Sequence, residues 1–142
     1  MTRVASLFRL MRPQQWVKNL FVFTGLLFSH AWGDGALVVK VLAAAAGFSL
    51  IASAIYIIND LADREADRRH PVKRNRPLAS GAVSARAALV LAALLAVGGA
   101  VLGALASITV LWLLAAYAVI NLGYSAGLKQ VVILDVFIIA AG

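Results

Sequence analysis

The chain has 142 residues, 63% of them apolar and 13% charged, with 13 basic against 6 acidic residues and a net charge of +7. Soluble domains run at about 45–50% apolar and roughly 25% charged, so this composition excludes an ordinary water-soluble domain, and disorder with it. What remains is a membrane protein with room for about four to six spans of ~20 residues. The absence of cysteine excludes disulfides and thiolate metal sites, and His30 and His70 are too far apart for a zinc pattern.

Residues 1–19 are basic, with Arg3, Arg9, Arg12 and Lys18. A first span is expected at about 16–32, closed by the break Gly33-Asp34-Gly35. A second runs over 36–58, with Lys40 near its start, where it can snorkel to the headgroups. Residues 59–86 form a polar loop holding seven of the thirteen basic residues and four of the six acids. The 42 residues from 87 to 128 carry no charge and would extend ~63 Å as one helix, twice the hydrocarbon thickness. They must form two spans, about 87–104 and 108–127, hinged within Gly103–Thr109. Residues 131–142 read as the start of a fifth span, or as a short re-entrant segment. The expected fold is all-α: a polytopic transmembrane helix bundle with four complete spans and an incomplete fifth, the N-terminal part of one longer domain. The small-residue runs Ala43–Gly47 and Gly98–Gly103 read as close-packing faces rather than walls of a lipid groove.

Charge placement sets the expected orientation. With the N-terminus cytoplasmic, every basic residue except Lys40 lies inside, as the positive-inside rule requires. The excess positive charge is therefore read as topology, in an inner (cell) membrane with the 59–86 loop cytoplasmic, and not as a nucleic-acid surface. A competing reading takes the basic start, the short apolar run and Ser29-His30-Ala31 as a signal peptide.

The most informative stretch is Asn59-Asp60-Leu61-Ala62-Asp63-Arg64-Glu65-Ala66-Asp67. Asp60, Asp63 and Asp67 stand at i, i+3 and i+7, on one face of a helix, while Glu65 points away. Like charges at this spacing, at the C-terminal end of a long helix, are locally unfavourable. A bound cation would explain them: magnesium is held by one or two carboxylates together with substrate phosphates. The bland alternative is a solvated loop in which Arg64, Arg68 and Arg69 neutralise the acids. The cationic run Arg68 to Arg76 follows at once, and arginine and lysine suit phosphate oxygens. Acids for a metal beside bases for phosphate make the two halves of a diphosphate site, although a basic run can also anchor to anionic lipids.

The pattern Asn59-Asp60-x-x-Asp63-x-x-x-Asp67, followed by Arg76-Pro77-Leu78-x-Ser80-Gly81, resembles the first aspartate-rich motif of the UbiA-type intramembrane prenyltransferases. The segments Arg12-Pro13-Gln14-Gln15-Trp16-Val17-Lys18-Asn19, His70-Pro71-x-Lys73-Arg74, Tyr124-Ser125-x-Gly127-Leu128-Lys129 and Leu134-Asp135-Val136 resemble its branch of decaprenyl-phosphate phosphoribosyltransferases. The resemblance covers essentially the whole chain but only about the first half of such an enzyme. It implies a bundle of about nine spans around a central cavity, with Mg2+ and a diphosphate held at the cytoplasmic side. It assigns Asp60, Asp63 and Asp67 to the metal and to catalysis. Asn59, Lys73, Arg74 and Arg76 fall to substrate binding. Lys18, with Asn19 beside it, joins them by its level in the membrane.

The implied reaction is Mg-dependent transfer of a 5-phosphoribosyl group from phosphoribosyl diphosphate to a polyprenyl (decaprenyl-type) phosphate, releasing diphosphate. This fragment alone is expected to be inactive, because the family's second polar motif lies beyond residue 142. Alternatives are transfer from a prenyl diphosphate to an aromatic acceptor, a truncated non-catalytic paralogue, and a transporter. Most of the acids cluster at the membrane surface rather than the midplane, which argues against the transporter. Asp135, six residues past Lys129, is balanced between a functional acid and a structural partner of Lys129 or Tyr124.

Overall fold

The computed structural model describes residues 2–22, 30, 32–125 and 139–140, and all of its regular elements are helical. In chain order they are α1 (Arg3–Leu10), a 3-10 segment (Pro13–Val22), α2 (Gly35–Ala62), α3 (Arg64–Arg68), a 3-10 turn (Lys73–Asn75), α4 (Ala85–Ala106) and α5 (Ile108–Gly123).

The helix starts are written in the sequence as capping side chains, which accept from otherwise unpaired first-turn amides. Thr2 accepts from the amide of Ala5, Asp34 from Leu37, Ser84 from Ala87 and Ser107 from Val110, all at 3.1–3.2 Å. Ser107 alone separates α4 from α5. Its extended backbone (φ −173°, ψ 161°) ends one helix while its hydroxyl starts the next, inside the expected hinge.

α2 and α4 correspond to the expected spans 36–58 and 87–104, and both are long and apolar enough to cross a membrane. α4 has only a minor share of its apolar surface buried, and large side chains such as Leu94, Val97 and Leu105 face outward. That surface suits a lipid environment. At 28 residues α2 is about 42 Å long, more than the ~30 Å hydrocarbon core. α5 is apolar but has 16 residues. Of the expected first span, residues 16–22 lie in the 3-10 segment. Residues 23–29 are outside the described residues, as are most of the fifth span, Lys129 and Asp135.

The two small-residue runs meet. A side chain at Gly47 would sit 3.1 Å from the carbonyl oxygen of Gly99, and one at Gly99 would sit 2.8 Å from Cγ1 of Ile51 and 3.0 Å from the oxygen of Gly47. α2 and α4 therefore touch backbone to backbone. Gly103 leaves the space that Leu114 of α5 occupies, and Leu114 is 2% exposed. A second cluster closes the loop end of the bundle: Leu10 of α1, Ala54 and Ile57 of α2, Leu78 and Val83 of the loop, and Ala88, Ala92 and Leu95 of α4. The N-terminal segment and the loop thus lie at the same end.

The glycine contact predicts a position-specific stability effect. Gly99→Ala should destabilise the full-length protein by about 1–3 kcal/mol, because the methyl group meets Ile51 and a backbone carbonyl. Gly98→Ala meets only Leu50 Cδ1, at 3.4 Å, and should leave thermal unfolding in detergent near wild type.

Candidate functional site

The site begins where α2 ends. Asp63 leaves the helical region (φ −90°, ψ 1°), so α2 stops at Ala62 and the short α3 starts at Arg64. The i to i−4 bonds from Asp63 N to Asn59 O (2.9 Å) and from Asp67 N to Asp63 O (2.8 Å) carry the helical register across this point, so Asp60 and Asp67 stay on one side. Asp60 and Asp67 are 4% and 3% exposed, whereas Asp63 is exposed.

Two buried carboxylates need compensating charge, since an unpaired buried ion is very costly. Arg76 supplies it to both. Its Nη1 donates to Asp67 Oδ2 at 3.0 Å and lies 3.5 Å from Asp60 Oδ1. Arg12 adds a shorter bond, Nη2 to Asp60 Oδ1 at 2.6 Å, and its guanidinium sits 5.1 Å from the centroid of the Tyr56 ring. That placement gives the cation a favourable aromatic face.

The Arg76-Pro77-Leu78-x-Ser80-Gly81 motif acts as a fastener for Arg76. The amide of Val83 donates to the Pro77 carbonyl at 3.1 Å, which folds the segment back on itself. Gly81 turns it with φ +82°, a conformation that favours glycine. Leu78, 1% exposed, is driven into the core beside Ile57, and Arg68 Nε donates to the Ala79 carbonyl at 3.1 Å. Arg76 is therefore held from both sides of its own chain.

Arg12 is placed by the N-terminal segment. Ser53, fully buried in α2, donates to the Met11 carbonyl at 2.7 Å and accepts from Trp16 Nε1 at 2.8 Å. Asn19 Nδ2 donates to Ser49 Oγ at 3.1 Å. Between these anchors Arg12 adopts φ +53°, in the left-handed region that arginine seldom occupies. That turn is bounded by Pro13 and directs Arg12 toward Asp60.

A cavity of about 220 Å³ opens on this cluster, lined among others by Arg9, Arg12, Gln15, Asp60 and Arg76. Asn59 and Asp63 come together elsewhere, in a smaller cavity of about 70 Å³ with Ala62 and Ser125. Lys18, Lys73 and Arg74 are exposed, Lys73 and Arg74 on the 3-10 turn, and among the described residues none of the three has an ion-pair partner. Arg64 and Arg68 pair with Glu65 and not with the aspartates. The local neutralisation considered for the acids thus reaches only Glu65. Sequence reasoning placed neither Arg12 nor Tyr56 in the site. The only signal for Arg12 was its place in the Arg-Pro-Gln-Gln-Trp segment.

Among the described residues no three carboxylate or histidine side chains converge as a ready cage for a metal. Asp60 and Asp67 instead meet at one guanidinium nitrogen. Two carboxylates suit a magnesium ion that arrives with phosphate oxygens as its remaining ligands. They fit a metal brought with its substrate better than a resident one.

A helical chain with two membrane-length apolar helices and an acid–arginine cluster at one end is the class these features define. The sequence matches the UbiA prenyltransferase family over residues 19–142, and the chain belongs to that family. It is 41% identical to a decaprenyl-phosphate phosphoribosyltransferase of Mycolicibacterium smegmatis, the match covering 98% of this chain and 45% of that protein. It is 34% identical to a protein of the same name from Corynebacterium glutamicum, covering 96% of this chain and 42% of that one. It is 40% identical to a 4-hydroxybenzoate octaprenyltransferase of a Polaromonas species, over 80% of this chain and 40% of that protein. The chain thus spans less than half the length of these relatives.

The buried ion pairs should be energetically distinct from the exposed ones. A double-mutant cycle with Asp67→Asn and Arg76→Gln should give a coupling of about 1.5–3 kcal/mol in unfolding of the full-length protein. The exposed Arg68–Glu65 pair, at 2.9 Å, should give under about 0.5 kcal/mol.

Proposed function

We propose that this chain forms the first half of an enzyme that transfers a 5-phosphoribosyl group from phosphoribosyl diphosphate to a polyprenyl phosphate of decaprenyl type, releasing diphosphate. The observation that carries this reading is the cluster in which Asp60 and Asp67 share Arg76 beside a cavity lined by Arg9 and Arg12. Such a cluster holds both signs of charge needed for a metal diphosphate. The names of the mycobacterial and corynebacterial relatives point to the donor and acceptor.

In this reading the resting cluster is self-neutralised. When donor binds, its phosphate oxygens would compete for Arg12 and Arg76, and Asp60 and Asp67 would hold Mg2+ in their place, with the exposed Asp63 turning in from its neighbouring cavity to join them. Mg2+ held there would supply charge neutralisation to the departing diphosphate. The arginines orient it through charge-assisted hydrogen bonds, and Asn59 steadies the acidic turn. Lys18, Lys73 and Arg74 stand exposed and take the donor's remaining phosphate. An acceptor phosphate oxygen then bonds to the anomeric carbon as the bond from that carbon to the diphosphate oxygen breaks. The basic N-terminal segment and the loop meet at one end of the bundle, which supports a shared cytoplasmic side for both.

The second reading is prenyl transfer from a prenyl diphosphate to an aromatic acceptor, favoured by the 40% identity to the octaprenyltransferase. Lys73 and Arg74, without ion-pair partners among the described residues, favour the phosphoribosyl donor, which brings an additional phosphate.

Labelled phosphoribosyl diphosphate, supplied to the full-length enzyme with polyprenyl phosphate and magnesium, should pass label into the lipid phase, and a chelator should abolish this. Asp60→Ala should lower turnover by about 100-fold or more. Arg74→Ala should raise the donor KM several-fold and leave the acceptor KM unchanged. Transfer only from a prenyl diphosphate would establish the second reading instead.

A further inference from the structure

A cavity larger than the one at the acid–arginine cluster lies elsewhere in the bundle. It is an open groove of about 420 Å³ between α1 and the start of α4, walled by Leu7, Val90, Leu91 and Leu94, with Arg3 and Arg86 also lining it. It shares no lining residue with the cavity at Asp60.

The two arginines reach the groove from different elements. Among the described residues neither has an ion-pair or hydrogen-bonding side-chain partner, and no acid lines the groove. Arg86 also stands in the first turn of its helix, where the dipole is unfavourable to a cation. Local stability accounts for neither charge.

The apolar wall continues beyond the groove. Val90, Leu94, Val97 and Val101 stand at i, i+4, i+7 and i+11 on α4, one face of the helix, and are 53–66% exposed. From Val90 to Val101 the stripe covers about 16 Å along the axis, the length of a substantial part of an acyl chain. A pair of uncompensated guanidiniums at the head of a lipid-facing apolar track matches an amphiphile with an anionic head.

We propose that this groove binds an anionic glycerophospholipid of the surrounding membrane, its phosphate held by Arg3 and Arg86 and one acyl chain laid along α4. The absence of carboxylates from its lining favours a singly charged phosphodiester over a metal-bound phosphate monoester or diphosphate. The site rests on α4 lying in the bilayer and is independent of the reaction proposed above.

The test uses the full-length protein purified in detergent and native mass spectrometry with phosphatidylglycerol or phosphatidylcholine of matched chains. Wild type should retain phosphatidylglycerol roughly tenfold more strongly, as two cations near a phosphate headgroup allow. Arg3→Ala with Arg86→Ala should bring the two lipids to parity, while the paired lysine substitutions should keep most of the preference. Lipid-free thermal unfolding of the alanine variant should match wild type, which separates lost binding from lost fold. Equal retention of both lipids by wild type would overturn the proposal. So would an undiminished preference in the alanine variant, or displacement of phosphatidylglycerol by equimolar polyprenyl phosphate. Equal retention would mean that the groove is covered by the rest of the chain, and displacement that it serves the acceptor.

Discussion

Two nearly inaccessible carboxylates at the end of an apolar helix must be compensated, and the structure around them is arranged to do that. An isolated charge taken out of water costs far more than any single packing contact returns. Asp60 and Asp67 therefore require guanidinium groups from parts of the chain that would otherwise have no reason to lie there. Arg76 comes from the loop after α3 and Arg12 from the segment before α2. The ion pairs explain why these segments converge, and the apolar contacts explain why they stay. Leu10, Ile57, Leu78 and Val83 pack together one layer beneath the charges.

The arrangement joins stability to reactivity. Arg12 is held in a left-handed conformation, and Ser53, fully buried, uses its hydroxyl once as donor and once as acceptor to hold the segment around it. Strain of this kind persists only where surrounding contacts determine it. Balanced charge is also easily exchanged: a ligand carrying both a cation and an anion can replace each protein pair with a pair of its own. The metal diphosphate of the proposed function is such a ligand. Meanwhile the Gly47–Gly99 contact brings α2 and α4 together backbone to backbone.

Much of this was legible in the chain. The uncharged length after Arg86 required two helices, and a serine within the expected hinge supplied both the stop and the next cap. The glycine runs read as contact faces and are such. The acidic stripe and the motif that follows it named Asp60, Asp67 and Arg76, which the structure brings together. The division of the stripe was not legible, because spacing does not say which part of it the N-terminal segment and the loop cover. That cover separates Asp63 and Asn59 from Asp60 and Asp67. Arg12 and Tyr56 were missed for a related reason. Their part depends on a turn before Pro13 and on the Trp16–Ser53 bond, long-range contacts that no local periodicity records. Lys73 and Arg74 were read as phosphate ligands from their position, and they are exposed and without ion-pair partners among the described residues.

Membership of the UbiA prenyltransferase family and the acid–arginine cluster lead to one central claim: the cluster exchanges its internal partners for a metal and a diphosphate together. Calorimetric titration of phosphoribosyl diphosphate into the full-length protein, with and without magnesium, measures this most directly. The account predicts binding at least about tenfold weaker without the metal, and the same weakening in Asp67→Asn with the metal present. Equal affinity with and without magnesium, or in that variant, would contradict it.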